Sequence, residues 1–213
     1  MDRADEIAVA GATVRGVLDE KHRAREVTLG ASRSTIQCSA ASIRATQRGE
    51  FARAEELAAE AAAHLARADE AVAGHLDVRH GGYLHDAKKE YAEARITLAF
   101  VRGYALPMPE ALGVEPPAYL NGLAEAASEL RRHILDCLRA DRLERAEVLL
   151  ATMDDVYALL VTVDYPDAIT GGLRRTTDAL RAVIERTRGD LTNALVAARL
   201  RTAIERADED GRT

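Results

Sequence analysis

The sequence predicts an all-α protein of seven long antiparallel helices. Three observations lead there. Apolar residues recur at helical spacing through most of the chain, glycine and proline gather at a few points between those stretches, and no segment combines period-two alternation with hairpin turn signals. No unit repeats at a fixed period, which excludes a solenoid. With 213 residues and 47% hydrophobic content the chain can bury one sizeable core. Residues 1–207 are therefore expected to form a single domain, followed by a polar tail at 208–213.

From Ala4 to about Gln47 the apolar positions Ile7, Val14, Leu18, Leu29, Ile36 and Ile43 keep helical register without a proline, giving one long helix or two in line. Gly11, Gly16 and Gly30 weaken it locally, and Arg48-Gly49-Glu50 stops it. A second helix runs from Phe51 to Leu76; its stripe Ala52, Leu57, Ala61, Leu65, Ala68 and Val72 is small enough for close packing, either inside the fold or between subunits. After Gly81-Gly82 a third helix extends from Tyr83 to about Tyr104. The loop that follows holds Pro107, Pro109, Pro116 and Pro117, and the last two stand where a fourth helix starts, reaching Arg139. Ala140-Asp141-Arg142 turns the chain into a fifth helix ending near Val163. Leu173 to Arg188 makes a sixth, and Gly189-Asp190 opens a seventh that reaches about Ala207.

The 29 Lys and Arg residues against 35 Asp and Glu leave a net charge of −6, so a nucleic-acid surface would have to be a local patch. Only Lys21, Lys88 and Lys89 are lysines; the rest are arginines, the better phosphate forks. The longest apolar runs, such as Leu57 to Leu65, are cut by Glu60 and His64, which excludes a membrane span. No basic and then apolar leader opens the chain, so a cytoplasmic location is expected. Two cysteines, Cys38 and Cys137, build neither a disulfide framework nor a metal cluster and are expected to be buried.

No phosphate loop, nucleophile elbow, zinc-spaced His/Cys set or dinucleotide fingerprint occurs. Catalysis would have to come from carboxylates on helices. On the third helix Asp86, Glu90 and Glu93 follow at offsets of four and three and share one face. The bland alternative is a solvated face balanced by Lys89 and Arg95. Glu125 and Glu129 repeat the spacing on the fourth helix, ahead of Arg131, Arg132 and His133. Two acidic helices facing each other can hold a hard divalent cation, which suits phosphodiester cleavage. A diiron bundle would need Glu-x-x-His motifs, absent at these positions. His80 and His85 flank the acidic helix, but no catalytic histidine is expected.

These segments, in their order along the chain, resemble the translin superfamily. The carriers are Arg25-Glu26-Val27-Thr28 with Ser32-Arg33-Ser34-Thr35-Ile36, Lys89-Glu90-Tyr91-Ala92-Glu93-Ala94, Leu106-Pro107, and Tyr119-Leu120-Asn121-Gly122-Leu123-Ala124 continuing into Ser128-Glu129-Leu130-Arg131-Arg132; Val156-Tyr157 and Pro166 follow in place. The resemblance implies a seven-helix, translin-type bundle that binds single-stranded RNA, with single-stranded DNA as a second ligand, and assembles into a hollow homo-oligomer, an octamer.

The family's Trax branch carries a Glu-Tyr-x-Glu-Ala pattern whose two glutamates, with an acidic residue on the next helix, form a Mg2+-dependent endoribonuclease site, and Glu90 and Glu93 match it. Glu125 matches the third position, usually aspartate in that branch. Glu129 is matched in both branches and ranks behind it, and Asp86 is an optional ligand.

The expectation is therefore an endoribonuclease using Mg2+, or Mn2+ in its place, with Glu90, Glu93 and Glu125 catalytic. Arg33 and Arg132, then Arg25 and Arg44, are the expected nucleic-acid contacts. The alternatives are a non-catalytic single-strand binding protein of the translin type and a helical scaffold with no nucleic-acid role.

Overall fold

The computed structural model describes residues 2–210, and among them nine helices and no strand: α1 (Arg3–Gln47), α2 (Phe51–Ala71), α3 (Leu76–Arg79), α4 (Gly82–Arg102), α5 (Pro109–Leu112), α6 (Pro116–Arg139), α7 (Leu143–Leu160), α8 (Asp167–Thr170) and α9 (Leu173–Asp210). Six are long; α3, α5 and α8 are single turns within the connections. The all-α class stands, while the count of seven does not. The expected sixth and seventh helices are one, because Gly189 inside a helix costs only about 1 kcal/mol, Leu180, Ile184 and Leu191 stay buried across it, and Arg131 binds Asp190 at 2.8 Å. Residues 208–210 of the expected tail belong to α9; 211–213 lie outside the described residues. No helix among the described residues is long and apolar enough to cross a membrane.

Local chemistry sets these boundaries. Asp2 and Asp5 form a reciprocal capping box at the start of α1. Its end is a Schellman motif: Gly49, at φ +77°, donates to Thr46 O, and Glu50 donates to Ala45 O. Only glycine takes that φ without strain. Pro116 occupies the first turn of α6.

The long helices pack in sequence: α2 on α1, α1 on α4, α4 on α6, with α7 and α9 closing the far side of α6. The inner face of α1 is small and polar, with Thr28, Ser32, Thr35, Ser39, Ser42 and Thr46 buried against the fully buried Ala54, Ala61 and Ala68 of α2. Ser42 Oγ donates to Ala54 O at 2.8 Å across this contact. Of the stripe, Leu57, Ala61, Leu65, Ala68 and Val72 are thus internal, while Ala52 is exposed. The main core lies around α6, where Leu123, Leu130 and Ile134 meet Leu84, Ile96, Leu149, Met153 and Leu180. Asn121 ties the α6 side together: it donates to Thr170 O (2.8 Å) and Pro117 O (2.9 Å) and accepts from Thr176 Oγ1 (2.7 Å). Of the cysteines, Cys137 is buried and Cys38 is half-buried; both are free thiols.

Two segments add nothing to this core. No residue from Arg3 to Val27 is buried, and none between Leu191 and Glu209. Both carry exposed apolar side chains, Ile7, Val14, Val17 and Leu18 on the first and Val196, Leu200 and Ile204 on the second.

Candidate metal centre

The tight contact of α4 with α6 beside Glu93 depends on a missing side chain. A Cβ on Gly122 would lie 2.7 Å from Lys89 O and 3.0 Å from both Glu93 N and Ala92 Cβ. Glycine therefore lets the two backbones touch beside Glu93. Glu125, three residues further along α6, then reaches across to α4.

The result is a trio, Glu90, Glu93 and Glu125, each offering a carboxylate oxygen within 4.8 Å of the others. Oxygens held on opposite sides of one hard cation at about 2.0–2.6 Å each span a similar distance, so the oxygen-only set fits Mg2+ or Mn2+. Glu93 is 8% exposed, whereas Glu90 and Glu125 are half-buried. Burial first, and then the negative charges of Glu125, Glu90 and Glu129, push the Glu93 carboxyl from the ordinary 4.5 up to about 9, against the counter-pull of Lys89.

Lys89 Nζ sits against both Glu125 oxygens (2.7 and 2.8 Å) and 3.4 Å from Glu90 Oε1. Burial alone would lower its pKa, but the hydrogen bond and charge of Glu125, with Glu90 and Glu93, hold it above the ordinary lysine value.

The other sequence-predicted acids lie outside the trio. Asp86 is exposed one turn before Glu90. Glu129 accepts from Gln47 Nε2 at the end of α1, and burial raises its pKa despite that bond and the Arg132 charge. Arg132 is exposed, makes no ion pair among the described residues, and lines a cleft with Gln47, Ser128, Glu129, Arg131 and Arg139 beside the trio. Arg44 lies one turn before Gln47 on the same face of α1, and Arg33 three turns further back; both are exposed. Arg25, further still, pairs with Glu26 at 2.6 Å. Sequence reasoning missed Gln47 and Gly122 as parts of the site. The one available signal was a glycine kept mid-helix with no break around it. His85 packs near Gly171 in a separate cleft with His80, Lys88 and Glu115.

The raised Glu93 carboxyl makes stability depend on pH. The folded chain holds this proton more tightly than the unfolded one, so its contribution is complete below about pH 4.5 and is lost as pH rises through about 9. His133, whose pKa burial and nearby arginines lower, has the opposite sign and acts only below the ordinary histidine range. Between about pH 7 and 9, in chelator, the thermal midpoint should fall, and Glu93→Gln should flatten that slope. A wild-type midpoint that rises over this interval would contradict the assignment.

Among proteins of known structure the chain is similar to AfC3PO. It is 32% identical over 87% of this chain in two structures: the complex of AfC3PO with duplex RNA (96% of that chain, TM-score 0.77) and a crystal structure of AfC3PO (97%, TM-score 0.76). NeC3PO shares the fold at 17% identity and TM-score 0.78, over 86% of this chain and 96% of that one. An uncharacterized protein of Methanocaldococcus jannaschii is 30% identical over 126 residues, 59% of this chain but only 56% of that protein's length. No protein-family model matches the chain.

Proposed function

Since the chain belongs to the translin superfamily, which includes the C3PO proteins, we propose that it is a single-domain, Trax-like endoribonuclease that binds single-stranded RNA and cleaves it with a divalent cation, Mg2+ or Mn2+. The observation that carries this reading is the gathering of Glu90, Glu93 and Glu125 from two helices into one oxygen cage. The complex of AfC3PO with duplex RNA, at 32% identity, supports RNA as the polymer. The single strand is proposed because a flexible phosphodiester can adapt to a carboxylate as buried as Glu93 more readily than a stiff A-form duplex can.

Glu90, Glu93 and Glu125 would hold the ion. Once bound, it would supply Lewis acidity and a water of lowered pKa. The chain's own residues do the rest. Glu93 must give up its carboxyl proton before that oxygen can serve as a ligand, so the site strengthens as pH rises. Gln47 fixes Glu129 beside the cage, and Arg132, exposed and without an ion pair among the described residues, is available to a backbone phosphate along the adjoining cleft. Arg44 and Arg33 extend the positive face along α1. The exposed apolar residues of α1 and α9 support assembly into a homo-oligomer, proposed as an octamer, that gathers these scattered arginines around shared RNA.

Cleavage of an unstructured RNA oligonucleotide should require Mg2+ or Mn2+, stop in EDTA and return when the ion is restored in excess, with the same sequence as a duplex cut at least about tenfold more slowly. Cleavage that ignores the chelator overturns the metal mechanism. Binding without cleavage in either ion would identify instead a non-catalytic RNA- or DNA-binding protein of the translin type.

A further inference from the structure

Lys89 is one of only three lysines in the chain, and its ammonium lies among the very oxygens assigned to the cation. It touches both oxygens of Glu125 and approaches Glu90, from opposite helices, at 2.7, 2.8 and 3.4 Å. Its backbone carbonyl is locked against Gly122, so the base of the side chain cannot drift from the cage. The four-carbon stem nevertheless leaves the head group free to swing, and Lys89 keeps a fifth of its side-chain surface open to solvent. A lysine placed in this way and a metal ion compete for the same lone pairs.

That competition depends on the valence of the incoming ion. Exchanging the ammonium for K+ or Na+ replaces one unit of charge by one unit, and the tethered group keeps the advantage of its high local concentration. Exchanging it for a divalent ion adds a full positive charge between the Glu90 and Glu125 carboxylates that the ammonium had held, at close range, where Coulomb energies are several times those in water. The ammonium can then turn outward.

We propose that Lys89 is a specificity-determining residue of the cation site: a tethered monovalent cation that keeps K+ and Na+ off Glu90 and Glu125 and yields only to a divalent ion. This rests on the reading of the trio as a divalent-cation site.

The test is Mn2+ binding, followed by calorimetry on the full chain, in potassium chloride and in choline chloride of equal ionic strength, for wild type, Lys89→Met, Lys89→Gln and Lys89→Arg. In choline, Lys89→Met should bind Mn2+ about tenfold more tightly than wild type. That gain should shrink in potassium, because the bare cage now accepts the monovalent ion. Wild type should give the same affinity in both salts, and Lys89→Arg should behave like wild type. Lys89→Gln retains a hydrogen-bond donor to Glu125 without the charge, so it reports the same gain should the methionine variant lose helicity by circular dichroism. If wild type binds Mn2+ and neither neutral variant binds more tightly, Lys89 is a structural ion pair and the proposal falls while the metal site stands. If none of the four proteins binds Mn2+ saturably, the metal site itself falls and takes the proposal with it.

Discussion

Glu93→Gln should lower RNA cleavage by about 10³-fold while leaving RNA binding at or above its original strength. Glutamine has the shape of the protonated carboxyl that the buried position already favours, with its pKa near 9, so the fold is preserved and only the ability to become an anionic ligand is lost. Removing one of the three proposed ligands would withdraw the charge stabilisation that a bound ion brings to the reacting phosphate, worth several kcal/mol, and about 4 kcal/mol corresponds to the stated factor. Binding should be spared because the proposed phosphate contacts, Arg132, Arg44 and Arg33, lie outside the trio, and one fewer potential negative charge would face the phosphates. The measurement is single-turnover cleavage at saturating protein, beside filter binding of the same oligonucleotide. Cleavage at the parental rate would refute Glu93 as a ligand.

Gly122→Val should damage both the fold and the site. The first added carbon would meet the Lys89 carbonyl and the Glu93 amide nitrogen, backbone atoms that cannot swing aside. Helix α6 must therefore lift from α4, at a cost of about 1–3 kcal/mol, or a thermal midpoint lower by about 2–4 °C for each kcal/mol in a chain of this size. Because Glu125 rides on the same helix, the cage opens and Mn2+ affinity falls with it. Gly189→Ala is the control: nothing lies within 4 Å of that Cβ position, and alanine in mid-helix should raise stability by about 0.5–1 kcal/mol. Thermal denaturation followed by circular dichroism reads both variants, and a valine at 122 without loss of stability would remove the close-approach argument.

The helical class was legible because apolar spacing is a local property, and the stops at Gly49 and the start at Pro116 were legible because each is fixed by one residue's backbone chemistry. The break expected at Gly189 was illegible as a false one: glycine weakens a helix only slightly, and the Arg131–Asp190 pair and the continuous apolar stripe that override it depend on α6 lying alongside. The single turns α3, α5 and α8 are too short to show a period. Within the site, the i, i+3 spacing of Glu90 and Glu93 could be read directly. That Glu125 rather than Glu129 faces them depends on the register of α6 against α4, which Gly122 sets through space. The Gln47–Glu129 contact joins residues far apart in the chain and leaves no mark in either neighbourhood.

The outer reaches of α1 and α9 carry a consequence for how much of this protein is folded at all. A helix of 45 residues is about 68 Å long, and from Arg3 to Val27 no residue is fully buried by its own chain. In water an unsupported stretch of that kind is marginal, since helices draw most of their stability from a packed face. Where neighbouring copies supply that face, the order of these segments becomes a matter of mass action: dilution withdraws it and abundance restores it, so the length of helix per chain is set by concentration as well as by sequence.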